Sequence, residues 1–121
     1  MSTEARVVVP GVSFHITQRG NCRQAVFFCD DDRQRYLSLV AQHSEESKLE
    51  LLGWCLMSNH VHLLAVPCHE ESMAQALQRA HSEYELMLST RHQRSGHLWQ
   101  SGYYYIDNVI TTPIQHPHEA D

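Results

Sequence analysis

The stretch Leu49-Glu50-Leu51-Leu52-Gly53-Trp54-Cys55-Leu56-Met57-Ser58-Asn59-His60-Val61-His62-Leu63-Leu64-Ala65-Val66-Pro67 decides the fold. Leu49 to Leu56 is an apolar run of strand length, and Met57 to Asn59 is a tight turn. His60 to Val66 is a second strand, closed by Pro67. Two strands joined so closely must pair antiparallel as a hairpin. Residues two apart on a strand point to the same face, so His60 and His62 project together while Val61 and Leu63 point the other way. If helices cover one face of the sheet, Val61 and Leu63 meet them. The two imidazoles then share the open face, with backbones about 7 Å apart along the strand.

Working outward from this hairpin, the run Val12 to Arg19 is β-branched and aromatic, preceded by a Pro10-Gly11 turn and closed by Gly20-Asn21. Val26-Phe27-Phe28 reads as a short extended piece. Asp30-Asp31-Asp32 places three carboxylates where the positive end of a helix dipole favours them, and Asp31 with Gln34 has capping-box spacing. A helix from about Asp31 to Ser47 follows, with Tyr36, Leu37, Val40 and Ala41 at helical spacing. After the hairpin, Ser72 and Gln75 repeat the capping pattern. Met73, Ala76, Leu77, Ala80, Tyr84, Met87 and Leu88 then stripe a helix from about Met73 to His92, with Ser95-Gly96 as its stop. His97 to Ile110 reads as a last extended segment interrupted near Ser101-Gly102. The order strand, helix, strand, strand, helix, strand defines an α+β chain of ferredoxin-like βαββαβ type, an antiparallel sheet with both helices on one face. Residues 1–110 form the domain. From Thr111 two prolines in a polar setting predict a flexible tail over 111–121.

Composition narrows the classes. A chain of 121 residues, 42% hydrophobic and 19% charged, has the size and make-up of one globular domain. It has no apolar run near the ~18 residues of a membrane span and no secretory leader, so a cytoplasmic location without membrane association is expected. Cys22, Cys29, Cys55 and Cys68 make no Cys-x-x-Cys pair and read as reduced thiols. The net charge of −5 argues against a polyanion partner, whereas ten histidines point towards metal or acid–base chemistry.

Three segments settle that conflict. Phe14-His15-Ile16-Thr17-Gln18-Arg19-Gly20-Asn21, Trp54 to Leu64, and Gly96-His97-Leu98-Trp99-Gln100-Ser101-Gly102-Tyr103-Tyr104, in this order, resemble the single-tyrosine transposases of the HUH superfamily. The likeness is to the REP-associated tyrosine transposases and their insertion-sequence relatives. It implies a ferredoxin-like core and DNA transposition on single-stranded or hairpin DNA. It also implies that His60 and His62 hold a divalent cation, Mg²⁺ or Mn²⁺, at the scissile phosphate, where a tyrosine on a later helix attacks. Past Tyr105 the sequence departs from the family: no segment resembles the helix that bears the nucleophile, so no catalytic tyrosine is assigned and cleavage deficiency is expected. The family includes monomers and interlocked dimers, which leaves a homodimer open.

Tyr36 and Tyr84 fall on apolar helix faces and read as core. Tyr103 and Tyr105 share a strand face and suit packing or base stacking. Arg19, Asn21 and Arg23 are the candidate DNA contacts. Arg91, His92 and Arg94 form a second basic group, for which helix-end charges facing a dipole are the alternative reading. His15 and His97 read as structural histidines, and Trp99 as core. Other readings are a non-catalytic nucleic-acid-binding or dimerisation module on the same core, an unrelated ferredoxin-like metal-binding protein, and a zinc site of Cys55, His60 and His62.

Overall fold

A computed structural model describes residues 8–93 and 96–107. Strand β1 is Phe14–Arg19, helix α1 Asp30–Glu46, strand β2 Leu49–Met57, strand β3 His60–Pro67, helix α2 Ser72–His92 and strand β4 Tyr104–Asp107. A single 3₁₀ turn, Asn21–Arg23, follows β1. The sheet order is β2-β3-β1-β4 with every neighbouring pair antiparallel, which is the expected βαββαβ arrangement. The hairpin turn contains only Ser58 and Asn59, because Met57 already pairs with His60.

Alternation along the two central strands determines what each face does. Phe14 and Ile16 of β1 and Val61, Leu63 and Ala65 of β3 are buried under the helices. They meet Tyr36 and Val40 of α1 and Met73, Ala76, Leu77, Ala80, Tyr84 and Leu88 of α2. Each large apolar side chain fully buried this way contributes about 1.5–3 kcal/mol before chain entropy is counted.

Several boundaries differ from the sequence reading for identifiable reasons. Val26 and Phe27 are buried, but their segment is a bend and not a strand; Val26 N–H donates to the Ser58 carbonyl, 2.8 Å away. Helix α1 is not capped by an Asp31–Gln34 box. Asp32 turns back instead and accepts from the Phe28 amide at 2.9 Å. Before α2, the Ser72 hydroxyl accepts from the His69 amide at 3.0 Å, and no side chain caps the helix at Glu71. Helix α2 closes at Gln93, in the left-handed region at φ 53°, before the expected Ser95-Gly96 stop. The last extended segment is shorter than expected: residues 97–100 are irregular apart from one bridge from Trp99 to Gly20, and only Tyr104–Asp107 form a strand. The expected continuation to Ile110 and the tail over 111–121 lie outside the described residues.

Asp32 also corrects the reading of the basic group at the end of α2. It has no exposed surface, and Arg91 donates to its Oδ1 at 2.9 Å while also pairing with Asp31. His92 Nε2 lies 3.2 Å from Asp32 Oδ2. Burial works to raise the Asp32 pKa, but the Phe28 amide, Arg91 and His92 together outweigh it and hold the carboxyl below its ordinary value. Arg91 and His92 therefore tie the end of α2 to the start of α1 and are not a free DNA-binding patch. Arg94 lies outside the described residues.

The polar centre of the core is built on His81. Its Nε2 is 2.8 Å from the Tyr36 hydroxyl, its ring stacks on Tyr36, and its carbonyl accepts from the Trp99 indole N–H at 3.2 Å. Burial pushes its pKa down to about 3 from 6.5. Below pH 6.5 the unfolded chain therefore binds a proton that the folded chain refuses. Stability is full above that pH and falls as pH drops towards about 3. From this residue alone the loss at pH 5 is about 2 kcal/mol. Urea unfolding at pH 7.5 and pH 5 should show that loss in the wild type and a flatter dependence in His81→Gln; equal slopes would remove His81 as the cause.

Candidate nucleic-acid and metal site

The uncovered face of the sheet carries His15, Thr17 and Arg19 from β1 and His60 and His62 from β3. Cross-strand pairing sets Thr17 opposite His62 and Arg19 opposite His60. Cys55 and Met57 of β2 stand opposite His62 and His60 on one side, while Tyr104 of β4 stands opposite Thr17 on the other. The predicted shared face is present, and the His60 and His62 rings lie edge to face with centroids 4.8 Å apart.

Hydrogen bonds orient both rings. His60 Nδ1 is 2.8 Å from Asn59 Oδ1, while Asn59 Nδ2 faces the Arg23 carbonyl at 3.5 Å. An amide oxygen only accepts, so His60 donates from Nδ1 and its Nε2 keeps a lone pair in the neutral ring. His62 Nδ1 lies 3.0 Å from His15 Nε2 and 3.3 Å from Thr17 Oγ1, which leaves its Nε2 outside these contacts. Burial lowers the pKa of both histidines, with Arg19 adding to the effect on each and His15 and His60 adding to it on His62. Neutral imidazoles with Nδ1 engaged and Nε2 available are the donor form that metal binding requires. In this respect the pair fits a divalent cation. Among the described residues, however, no group of three or more His, Cys, Asp or Glu side chains is placed to hold a metal ion. Cys55, His60 and His62 thus do not assemble as a zinc site, and the pair supplies two donors.

The candidate DNA contacts gather at the same end of the sheet. Arg19 is exposed and makes no ion pair among the described residues. Asn21 and Arg23 lie in the turn directly after it; the Asn21 amide donates to the Leu98 carbonyl at 2.8 Å, and Arg23 is exposed at φ 62°. Gly20 begins that turn where a Cβ would sit 2.3 Å from the Gln24 carbonyl oxygen, so no larger residue fits without backbone movement. His97 is exposed and apart from the histidine cluster, whereas His15 is part of it as a partner of His62.

Two elements of the site were missed in the sequence. Gln18 points inward among apolar neighbours, and its Nε2 donates to the carbonyls of Gln100 and Gly102, each at 3.0 Å. This contact pins the 100–102 loop against β1. Between that loop and β1 lies a pocket of about 180 Å³ lined by Thr17, Arg19, Gln100, Ser101, Gly102 and Tyr104, among others. A lone glutamine on the buried parity of β1 was the available signal for Gln18. Tyr104 could be assigned to a face only once the start of β4 was known.

The open face of this α+β sheet therefore presents paired imidazoles beside an arginine. The match to the IS200-like transposase family model spans residues 8–112, and the chain belongs to that family. Among solved structures it resembles a REP-associated tyrosine transposase bound to a REP hairpin, with a TM-score of 0.69 and 14% identity over 92% of this chain. This chain spans 64% of the length of that protein. It also resembles a candidate transposase of Deinococcus radiodurans, with a TM-score of 0.59 and 20% identity over 98% of this chain and 92% of the other. Comparison with curated protein sequences gives no match. No helix among the described residues is long and apolar enough to cross a membrane.

Proposed function

We propose that this chain is a DNA-binding core that holds a single-stranded or hairpin DNA against the open face of its sheet. His60 and His62 take a divalent cation, Mg²⁺ or Mn²⁺, and Arg19, Asn21 and Arg23 take the neighbouring phosphates. The observation that carries this reading is the pair of Nδ1-anchored imidazoles on the uncovered face with Arg19 directly opposite one of them. The structural relative bound to a REP hairpin supports hairpin DNA as the ligand. When bound, the cation supplies positive charge to phosphoryl oxygens and withdraws electrons from phosphorus. The protein's own part is to fix the imidazoles through Asn59, Thr17 and His15 and to bring Arg19 alongside.

Cleavage is a separate matter, and the five tyrosines bear on it. Tyr36 and Tyr84 are buried and hydrogen-bonded, and burial raises both pKa values further above the ordinary range. Burial also pushes Tyr103 up to about 12, with Tyr105 beside it adding to the effect, and Tyr105 packs edge-on against Phe14. Tyr104 alone shares the histidines' face, on a strand with no described base in contact. These tyrosine environments support the reading of a chain that, taken by itself, binds DNA but is deficient in forming a phosphotyrosine.

The test mixes the full chain with a labelled DNA hairpin carrying a single-stranded extension, with and without Mn²⁺, at low and moderate salt. Binding that strengthens with Mn²⁺ and leaves no covalent adduct is expected. Absence of binding even at low salt, where phosphate contacts are strongest, would overturn the DNA reading. A covalent adduct would overturn the deficiency.

A further inference from the structure

We propose that the pocket between β1 and the 100–104 segment receives one nucleobase of the bound strand, stacked on Tyr104, with that nucleotide's phosphate on Arg19. This rests on the DNA-binding reading above and names a subsite within it.

The pocket has two chemically different ends. One is Tyr104, whose side chain stands on the open face with the residue 60% exposed, so that an aromatic surface is open to a stacking partner. The other is Arg19, a cation with no ion pair among the described residues. Among the described residues that line the pocket, none is acidic. A nucleotide offers the matching pair, a flat π-face joined to an anion. A free phosphate would use only the arginine, and an apolar peptide side chain only the ring.

Position favours the same occupant. Tyr104, Thr17 and His62 lie in register across β4, β1 and β3. Two strand spacings, about 10 Å, separate the Tyr104 backbone from that of His62. A base on Tyr104 therefore has its sugar-phosphate directed towards Arg19 and the histidine pair, and the strand continues across the sheet.

The rim is set before any ligand arrives. Gly102 sits at φ +80°, a conformation that favours glycine, and its carbonyl is turned inward onto Gln18. Gln100 is tied to β1 both by its carbonyl on Gln18 and by its amide, which donates to the Arg19 carbonyl at 2.9 Å. Gln100 and Ser101 are exposed at this rim, where their side chains can hydrogen-bond a base edge.

The experiment measures binding of the full chain to the hairpin with its single-stranded extension, and to versions with one abasic position moved along that extension. Tyr104→Ala should weaken binding of the intact strand about tenfold, as expected for one lost base stack, while Tyr104→Phe stays within about twofold. In the wild type a single abasic position should reproduce the Tyr104→Ala loss, and combining the two should add little. Intact hairpin binding with no effect of Tyr104→Ala, or of any abasic position, would overturn the subsite and leave the DNA-binding reading standing. A Tyr104→Phe loss as large as that of alanine would overturn stacking and assign the role to the hydroxyl. No hairpin binding by the wild type would overturn both readings.

Discussion

Replacing both His60 and His62 with alanine should leave a folded protein whose affinity for a DNA hairpin no longer responds to Mn²⁺. The two side chains are only partly buried and lie outside the core, so the expected change in stability is within about 1 kcal/mol. The metal effect should be far larger. Losing a group that merely orients a metal-bound histidine typically costs 10–100-fold in metal affinity, so losing both ligands should cost at least about 100-fold. The phosphate contacts proposed for Arg19, Asn21 and Arg23 do not require the imidazoles as ligands, so a salt-sensitive, metal-independent component of binding should survive. Isothermal titration with Mn²⁺ checks the first statement, and hairpin binding across a salt series checks the second. Equal Mn²⁺ affinity in wild type and variant would remove these histidines from the metal site. Asn59→Ala offers a finer comparison, since it frees His60 Nδ1 while keeping both ligands, and a smaller loss is expected from it.

Trp99→Ala should be the most damaging single change to the fold, costing about 3–5 kcal/mol. Total stabilities of 5–15 kcal/mol are usual for a domain, so a large share of the margin would be lost. Only 9% of Trp99 is exposed, and its ring contacts Tyr36, His81 and Tyr84 at centroid distances of 5.8, 4.5 and 6.0 Å. Truncation would open a cavity at the meeting point of both helices and leave the His81 carbonyl without its indole donor. The damage would also reach the open face proposed to bind DNA. Trp99 bridges to Gly20, and its neighbours Leu98 and Gln100 accept from Asn21 and donate to Arg19. Trp99→Phe should recover much of the packing while still lacking the N–H. Urea denaturation of the three proteins tests this order, and a loss below 1 kcal/mol for alanine would show that the site collapses around the missing ring.

The hairpin and the two helices were legible because their apolar residues recur at the periods of buried strands and helices. The open face followed from the same alternation: once Val61 and Leu63 are inside, His60 and His62 must be outside. What escaped was set by partners distant in sequence. Asp31 and Gln34 had the capping-box spacing at the start of α1, but it is Asp32 that turns inward, because Arg91 and His92 arrive from the far end of α2 to pair with it. Residues 97–100 looked like a strand by composition. They are held as an irregular segment because hydrogen bonds to Arg19, Asn21 and Gln24 fix them one by one. The link between His15 and His62 crosses 47 residues and depends on strand register, which local periodicity does not encode.

The sheet order divides responsibility between centre and margin. Arginine and imidazoles stand on β1 and β3, each flanked by paired strands on both sides, so their spacing is inherited from the best-braced part of the backbone. The side chains that frame them, Cys55 and Met57 on one border and Tyr104 on the other, belong to β2 and β4, the outer strands of the sheet among the described residues. On the DNA-binding reading, substitutions along those borders would redraw which segment the surface accepts while the imidazole geometry stays fixed. An evolving lineage, or a designer, could retarget such a domain from its edges inward.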